Sequence, residues 1–199
     1  MADLPIRRYE GPVCVVTTAS ELEHAADDLR QESVVGFDTE TRPSFSKGES
    51  YLPSLVQVAT ARAVYLFRFR GLDVAPLLKN LLERADLVKS GVSVGEDLRT
   101  LKQVFPFDER NVVDLGTVAR RCGYEQSGVR NLAGMFMGVR IPKGARTSNW
   151  AAVRLSPAQV TYAATDAWIC RELYLKFTAC GLDLAPKTRS DPEQRKTGV

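Results

Sequence analysis

The chain has 199 residues, 44% of them hydrophobic, with 27 lysines and arginines against 24 aspartates and glutamates. That length supports one sizeable core and is short for two ordinary domains, and no apolar run approaches the roughly 20 residues of a membrane span. A net charge of +3 excludes little by itself. The four cysteines, Cys14, Cys122, Cys170 and Cys180, form no Cys-x-x-Cys pair, which points to free thiols in a reducing compartment rather than disulfides or zinc. The opening Met-Ala-Asp-Leu-Pro-Ile-Arg-Arg leads into no apolar stretch, so no secretory signal is read. An intracellular protein is expected, cytoplasmic, or nuclear in a eukaryote.

In chain order, residues 11–18 read as a strand, and Ser20-Glu-Leu-Glu23 reads as a capping box opening a helix to about Arg30. Five strands follow near 33–38, 54–60, 62–67, 87–93 and 111–114. Too few residues separate the second and third for a crossover, so they pair as an antiparallel hairpin. Helices near 74–84 and 96–104 separate the later strands and permit parallel pairing. The expectation is an α/β fold with a central mixed five-stranded sheet, its first three strands antiparallel and the rest in parallel βαβ units, flanked by helices. Further helices are predicted over 115–122, 129–137 and 157–180. The last has Ser156 as N-cap, Pro157 at the first helical position, Gln159 completing a capping box and Gly181 as stop. One domain is read over 1–184, with a disordered polar tail over 185–199. That tail holds Lys187, Arg189, Arg195 and Lys196 against Asp191 and Glu193, leaving a net charge of +1 for the rest.

Chemistry concentrates in three places. Val-Val-Gly-Phe-Asp-Thr-Glu ends in Asp38 and Glu40, which project from the same face of a strand because side chains alternate. Gly-Val-Ser-Val-Gly-Glu-Asp-Leu supplies Asp97. Thr-Tyr-Ala-Ala-Thr-Asp-Ala places Tyr162 and Asp166 four apart on one face of a helix. Carboxylates brought together would repel one another unless cations lay between them, and hard oxygen donors suit Mg²⁺ or Mn²⁺. Other readings exist for each group: arginine partners for Asp38 and Glu40, a helix cap for Asp97, a core position for Tyr162. Asp114 is read as the cap of the helix after it, and the single histidine, His24, lies outside every motif.

With these residues the chain resembles the DEDD-type 3′–5′ exonucleases of the ribonuclease H-like superfamily, over roughly residues 33–178. Tyr162 matches the tyrosine subtype, since the other branch carries histidine where this chain has Thr161. Thr-Ser-Asn-Trp at 147–150 is close to the pattern of the Werner-type exonuclease domains, whereas ribonuclease D-type enzymes usually carry Ser-Asp-Trp there. The resemblance implies a two-metal site with the ions about 3.5–4 Å apart and Asp38, Glu40, Asp97 and Asp166 as ligands. Asp38 would bridge both ions, Glu40 and Asp166 would help hold one, and Asp97 would reach the other through water. Tyr162 would orient the attacking water, because a phenol with an ordinary pKa of about 10 is a poor free base at neutral pH.

The implied partner is a nucleic acid with a free 3′ end, DNA preferred and RNA possible, and no membrane. Backbone groups of Thr39 and Thr41, with Arg42, Phe45 and Lys47 in the following loop, are candidate sugar, phosphate or base contacts. Arg99 is a candidate wedge, and Lys143 and Arg146 are candidate phosphate ligands. Trp150 is expected beneath the last helix. The competing readings are a ribonuclease D-like RNA-trimming enzyme and a non-catalytic nucleic-acid-binding module on the same fold.

Overall fold

A computed structural model describes residues 3–44, 46 and 48–185. Its elements run β1 (Val13–Val16), α1 (Ala19–Arg30), β2 (Val34–Thr41), β3 (Pro53–Ala59), β4 (Val64–Arg68), α2 (Ala75–Glu83), β5 (Val88–Gly91), α3 (Val94–Leu101), β6 (Val112–Asp114), α4 (Leu115–Arg121), α5 (Val129–Met137) and α6 (Pro157–Ala179). The strands form a single sheet in the order β1-β4-β3-β2-β5-β6. β2, β3 and β4 make the antiparallel meander, and β5 and β6 continue in parallel beside β2.

Three expectations need correction. The sheet has six strands rather than five, because β1 pairs in parallel with β4. Every residue of β4 is buried, and a bare apolar edge there would be open to unwanted pairing. The first capping box lies two residues earlier than read, with Thr18 accepting from the Glu21 amide. Both Thr18-x-x-Glu21 and Ser20-x-x-Glu23 fit the pattern, but the Glu21 carboxylate also accepts from the Thr17 amide and hydroxyl. Finally, α3 begins at Val94 rather than 96, after Ser93 turns in the left-handed region with φ 65°. Of the tail expected over 185–199, residues 186–199 lie outside those described.

Alternation along β2 divides the molecule. Val35 and Phe37 face a core shared with α1, α2 and α3, built from Leu29, Leu78, Leu82, Leu98 and Leu101 among others. The opposite face, through Leu55, Ala59, Val64 and Leu66, packs on Trp150 and on Ala163, Ala164 and Ala167 of α6. Small residues let this helix come close. A β-carbon on Gly36 would collide with the Ala167 carbonyl and crowd the Arg171 amide. The start of α6 is as expected: Ser156 and Gln159 form the capping box, and Gln159 Nε2 donates to Ser148 Oγ at 3.0 Å and the Asn149 carbonyl at 3.2 Å. Trp150 is fully buried beneath the helix.

Gly36→Ala should therefore destabilise the fold by about 3 kcal/mol, the upper part of the overpacking range, in a denaturant melt. Gly95→Ala, where a β-carbon meets nothing within 4 Å, should be neutral or stabilising by up to about 1 kcal/mol. Equal effects at both positions would mean that the close approach of α6 to β2 is not a constraint.

Candidate active site

The end of β2 and the second and third turns of α6 meet on the sheet face that carries the alanine-rich helix. Asp38 lies opposite Gln57, and Glu40 opposite Leu55, on β3. The β2–β3 register shifts between Glu40 and Thr41, a bulge of the kind that re-aims side chains at a sheet end. Asp38, Glu40 and Asp166 each present an oxygen within 4.8 Å of the other two. Glu40 and Asp166 are each only 7% exposed. Tyr162, one turn before Asp166, is half-buried, with its ring 6.0 Å from that of Trp150.

Asp97 stands apart from this trio. It sits in the first turn of α3, past the N-cap, so the reading of it as a helix cap does not hold. Thr39, on the other face of β2, donates from its hydroxyl to Asp97 Oδ1 at 2.6 Å. Asp114, by contrast, does cap α4, accepting from the Thr117 amide at 3.0 Å.

The cluster resists ionisation. Burial and then Asp166, Asp97 and Glu40 push the Asp38 carboxyl well above the usual carboxylate range. Asp38 is only partly buried, but protein surrounds it closely enough for desolvation to dominate. Burial followed by Asp166 and Asp97 raises Glu40 to about 9, against an easing effect of Arg146. Burial raises Asp166 to about 6, while Tyr162 and Arg130 favour its charged form. Asp97 is also raised, chiefly by burial. Burial, Asp166 and Glu40 raise the Tyr162 phenol too, so it stays protonated at neutral pH. Three convergent carboxyls with no thiolate or imidazole among them fit a hard divalent cation, whose charge would replace the protons that Asp38 and Glu40 otherwise retain.

The remaining candidates are dispersed. Lys143 lines a cavity of about 550 Å³ beside Tyr162 and Asp166. Arg146 is near enough to Glu40 to favour its charge. Thr41 is the last residue of β2, and Arg42 lies over the Tyr51 ring, 4.8 Å from its centroid. Arg99 is turned to Glu96 on its own helix, with contacts of 2.5 and 2.9 Å. Phe45 and Lys47 lie outside the described residues. Sequence reasoning missed two groups. Gln57 is fully buried across from Asp38, and among the described residues neither of its amide atoms has a partner; period-two counting along β3 would have put it on this face. Arg130, on α5, reaches the neighbourhood of Asp166 and Tyr162, and no local pattern announces it.

Residues 13–180 match the family model described as 3′–5′ exonuclease. The chain belongs to that family. It is 33% identical over 171 residues to a ribonuclease D of Gluconacetobacter diazotrophicus, covering 83% of this chain and 42% of that protein. It is 29% identical over 190 residues to the bifunctional 3′–5′ exonuclease/ATP-dependent helicase WRN of Mus musculus, covering 90% of this chain and 14% of that one. The chain thus spans less than half the length of either relative. Among solved structures, the Nibbler EXO domain of Aedes aegypti is similar at TM-score 0.75 and 25% identity, over 90% of this chain and 94% of that one. Escherichia coli RNase D shares the fold, with a TM-score of 0.73 at 24% identity over 87% of this chain and 46% of that one. Both kinds of relative appear, and Asn149 does not choose between them: its Oδ1 accepts from the Ala151 amide at 3.2 Å, a bond an aspartate would make equally well.

The raised carboxyls set a pH dependence. The folded state holds protons that the unfolded chain has released above about pH 4.5, so stability must fall as pH rises from there toward 9, the value for Glu40. In EDTA the melting temperature should drop across that window. Excess Mg²⁺ or Mn²⁺ should flatten the profile, and Asp38→Asn should make the EDTA slope shallower. A flat EDTA profile that Mg²⁺ leaves unchanged would show that the cluster is no metal site.

Proposed function

We propose that the protein is a divalent-metal-dependent 3′–5′ exonuclease that releases nucleoside 5′-monophosphates one at a time, with DNA preferred over RNA. The convergence of Asp38, Glu40 and Asp166 within 4.8 Å of one another, in a chain of the exonuclease family, carries this reading. Asp38, Glu40 and Asp166 would hold the ions, with Mg²⁺ or Mn²⁺ suited to oxygen donors, and Asp97 would act from the α3 side through water. Two such ions, when bound, supply an activated water, neutralise the charge building on the phosphoryl group and stabilise the departing oxygen.

The chain's own groups do the positioning. The water oxygen bonds to phosphorus while the bond from phosphorus to the 3′ oxygen of the penultimate nucleotide breaks. That 3′ oxygen takes up a proton, leaving a shortened strand with a new 3′-hydroxyl and a free 5′-monophosphate. Tyr162 stays a phenol, so its part is to orient the water by hydrogen bonding, not to remove a proton from it. Asp166 is held near Tyr162 by their spacing of one helical turn, and Thr39 fixes Asp97. Lys143 and Arg146 would meet phosphates, and Arg42 would meet sugar or base. Arg99 is engaged by Glu96 on its own helix and would have to leave it to meet a strand. The free cysteines are in keeping with a reducing compartment, and we place the enzyme inside the cell. Among the described residues no helix is long and apolar enough to cross a membrane. The second reading, trimming of RNA 3′ ends, draws on the 33% identity to a ribonuclease D.

Matched 5′-labelled DNA and RNA strands with Mg²⁺, Mn²⁺ or EDTA separate the readings. Stepwise shortening of DNA ahead of RNA is expected, and faster RNA shortening would favour the second reading. Cutting of a circular single strand would contradict both. Asp38→Ala should abolish turnover while the fold survives. Tyr162→Phe should lose on the order of 10²-fold with substrate binding little changed, and Asp166→Ala should lose more. Wild-type turnover in Tyr162→Phe would reduce the tyrosine to packing.

A further inference from the structure

Residues 3–9 precede the stretch matched to the exonuclease family, 13–180, yet they are fastened beside the carboxylate cluster. The Arg7 amide donates to the Arg140 carbonyl at 3.0 Å, the Arg140 amide to the Pro5 carbonyl at 2.8 Å, and the Tyr9 amide to Thr165 Oγ1 at 3.1 Å. Ile6 and Arg140 form a parallel β-bridge, and the Tyr9 ring lies 6.0 Å from Trp168 on α6. This arm forms one wall of two adjoining cavities. The first, about 550 Å³, reaches Asp166 and includes Arg8 and Lys143. The second, about 430 Å³, includes Ile6, Arg130, Arg140 and again Lys143. Ile141 and Pro142 line both.

Charge indicates what this space holds. Four cations line it, and Asp166 is the one acid. Elsewhere some arginines find carboxylates, such as Arg62 with Asp28, Arg84 with Asp86 and Arg171 with Glu32, but none of those lining this space does. Among the described residues no carboxylate pairs with Arg8, Arg130, Arg140 or Lys143, and no group offers a hydrogen-bond partner to the buried Nε of Arg130. Unpaired cations above an apolar floor of Ile6, Ile141 and Pro142 suit a strand that offers phosphates on one side and base faces on the other. An exonuclease discards a single nucleotide, so a run of two cavities leading away from the cluster serves the retained strand.

We infer that the N-terminal arm and the 140–143 segment together form the channel for single-stranded nucleic acid on the 5′ side of the scissile bond, with Arg8 and Arg140 as phosphate ligands. This rests on the exonuclease reading for its direction, but not for its occupant. The arm thereby extends the binding surface beyond the part of the chain that matches the family.

Fluorescence anisotropy with 5′-fluorescein dT12 in EDTA, where no turnover occurs, measures binding against KCl concentration. Arg8→Ala and Arg140→Ala should each weaken binding about 3- to 10-fold and lower the slope of log K against log salt by about 0.7, one phosphate contact on a single strand. Arg8→Lys should restore the slope. Arg30→Ala, a change on the exposed face of α1, should leave both unchanged. Binding should strengthen from dT2 to dT6 in the wild type, and less so in the Arg8→Ala/Arg140→Ala double variant. Both alanine variants have exposed side chains, and a melt confirms that they fold. Wild-type affinity and slope in both would overturn the channel. A wild-type protein that digests no strand with Mg²⁺ or Mn²⁺ would instead overturn the exonuclease reading, with the binding result judged separately.

Discussion

Mutual repulsion among carboxylates is the constraint around which the structure is arranged. Two unit charges 4 Å apart repel by about 4 kcal/mol at the effective dielectric near a protein surface, and here three oxygens lie within 4.8 Å of one another. Two come from β2 and one from α6, so ionisation of the cluster pushes the helix off the sheet. Close packing opposes that push. Gly36, Ala163, Ala164 and Ala167 let backbone approach backbone, Trp150 fills the space below, and the Ser156–Gln159 capping box fixes the start of the helix to the preceding segment. The same packing desolvates the acids and raises their pKa values. Stability and the demand for a cation are therefore two consequences of one interface.

The cations are placed with corresponding restraint. Arg146 eases the ionisation of Glu40, and Arg130 that of Asp166. Among the described residues, neither forms an ion pair with the cluster. A guanidinium seated directly on the three carboxylates would satisfy them and fill the space that a metal requires. Held back, the arginines lower the charge penalty without competing for the ligand atoms. They also leave a positive surface at the rim, where a phosphodiester would arrive.

Much of this was legible in the sequence because its signals are local and periodic. Alternation set Asp38 and Glu40 on one side of β2, helical spacing set Tyr162 with Asp166, and Ser156-Pro157 with Gln159 marked the start of α6. Signals failed where geometry depends on partners distant in the chain. The turn into α3 uses Ser93 in a left-handed conformation that usually calls for glycine or asparagine, so the helix start was misplaced. The partner of β1 follows from the exposed edge of β4, which no property of residues 13–16 specifies. The N-terminal arm docks through backbone amides and carbonyls, which carry no side-chain code, and Arg8 was therefore invisible as a cleft residue. Gln57 could have been found, since it occupies the same alternation phase as Leu55 and Ala59.

Asp97 shows how the fold divides labour between the two faces of a single strand. Its neighbours in the cluster share the α6 side of β2, whereas Asp97 approaches from α3 and is held by Thr39, the residue between Asp38 and Glu40. One three-residue stretch thus aims two carboxylates one way and anchors a third, from another helix, on the other. α3 is only eight residues long and rests on the core through Val94, Leu98 and Leu101, whereas α6 runs for 23 residues with ten of them buried. The helix carrying Asp166 is the fixed jaw of the site and that carrying Asp97 the lighter one. Adjustment of the site to an ion or a strand is accordingly cheapest on the α3 side, through the Thr39–Asp97 hydrogen bond, and most costly at Asp38 and Asp166, where moving a ligand means unpacking the centre of the sheet.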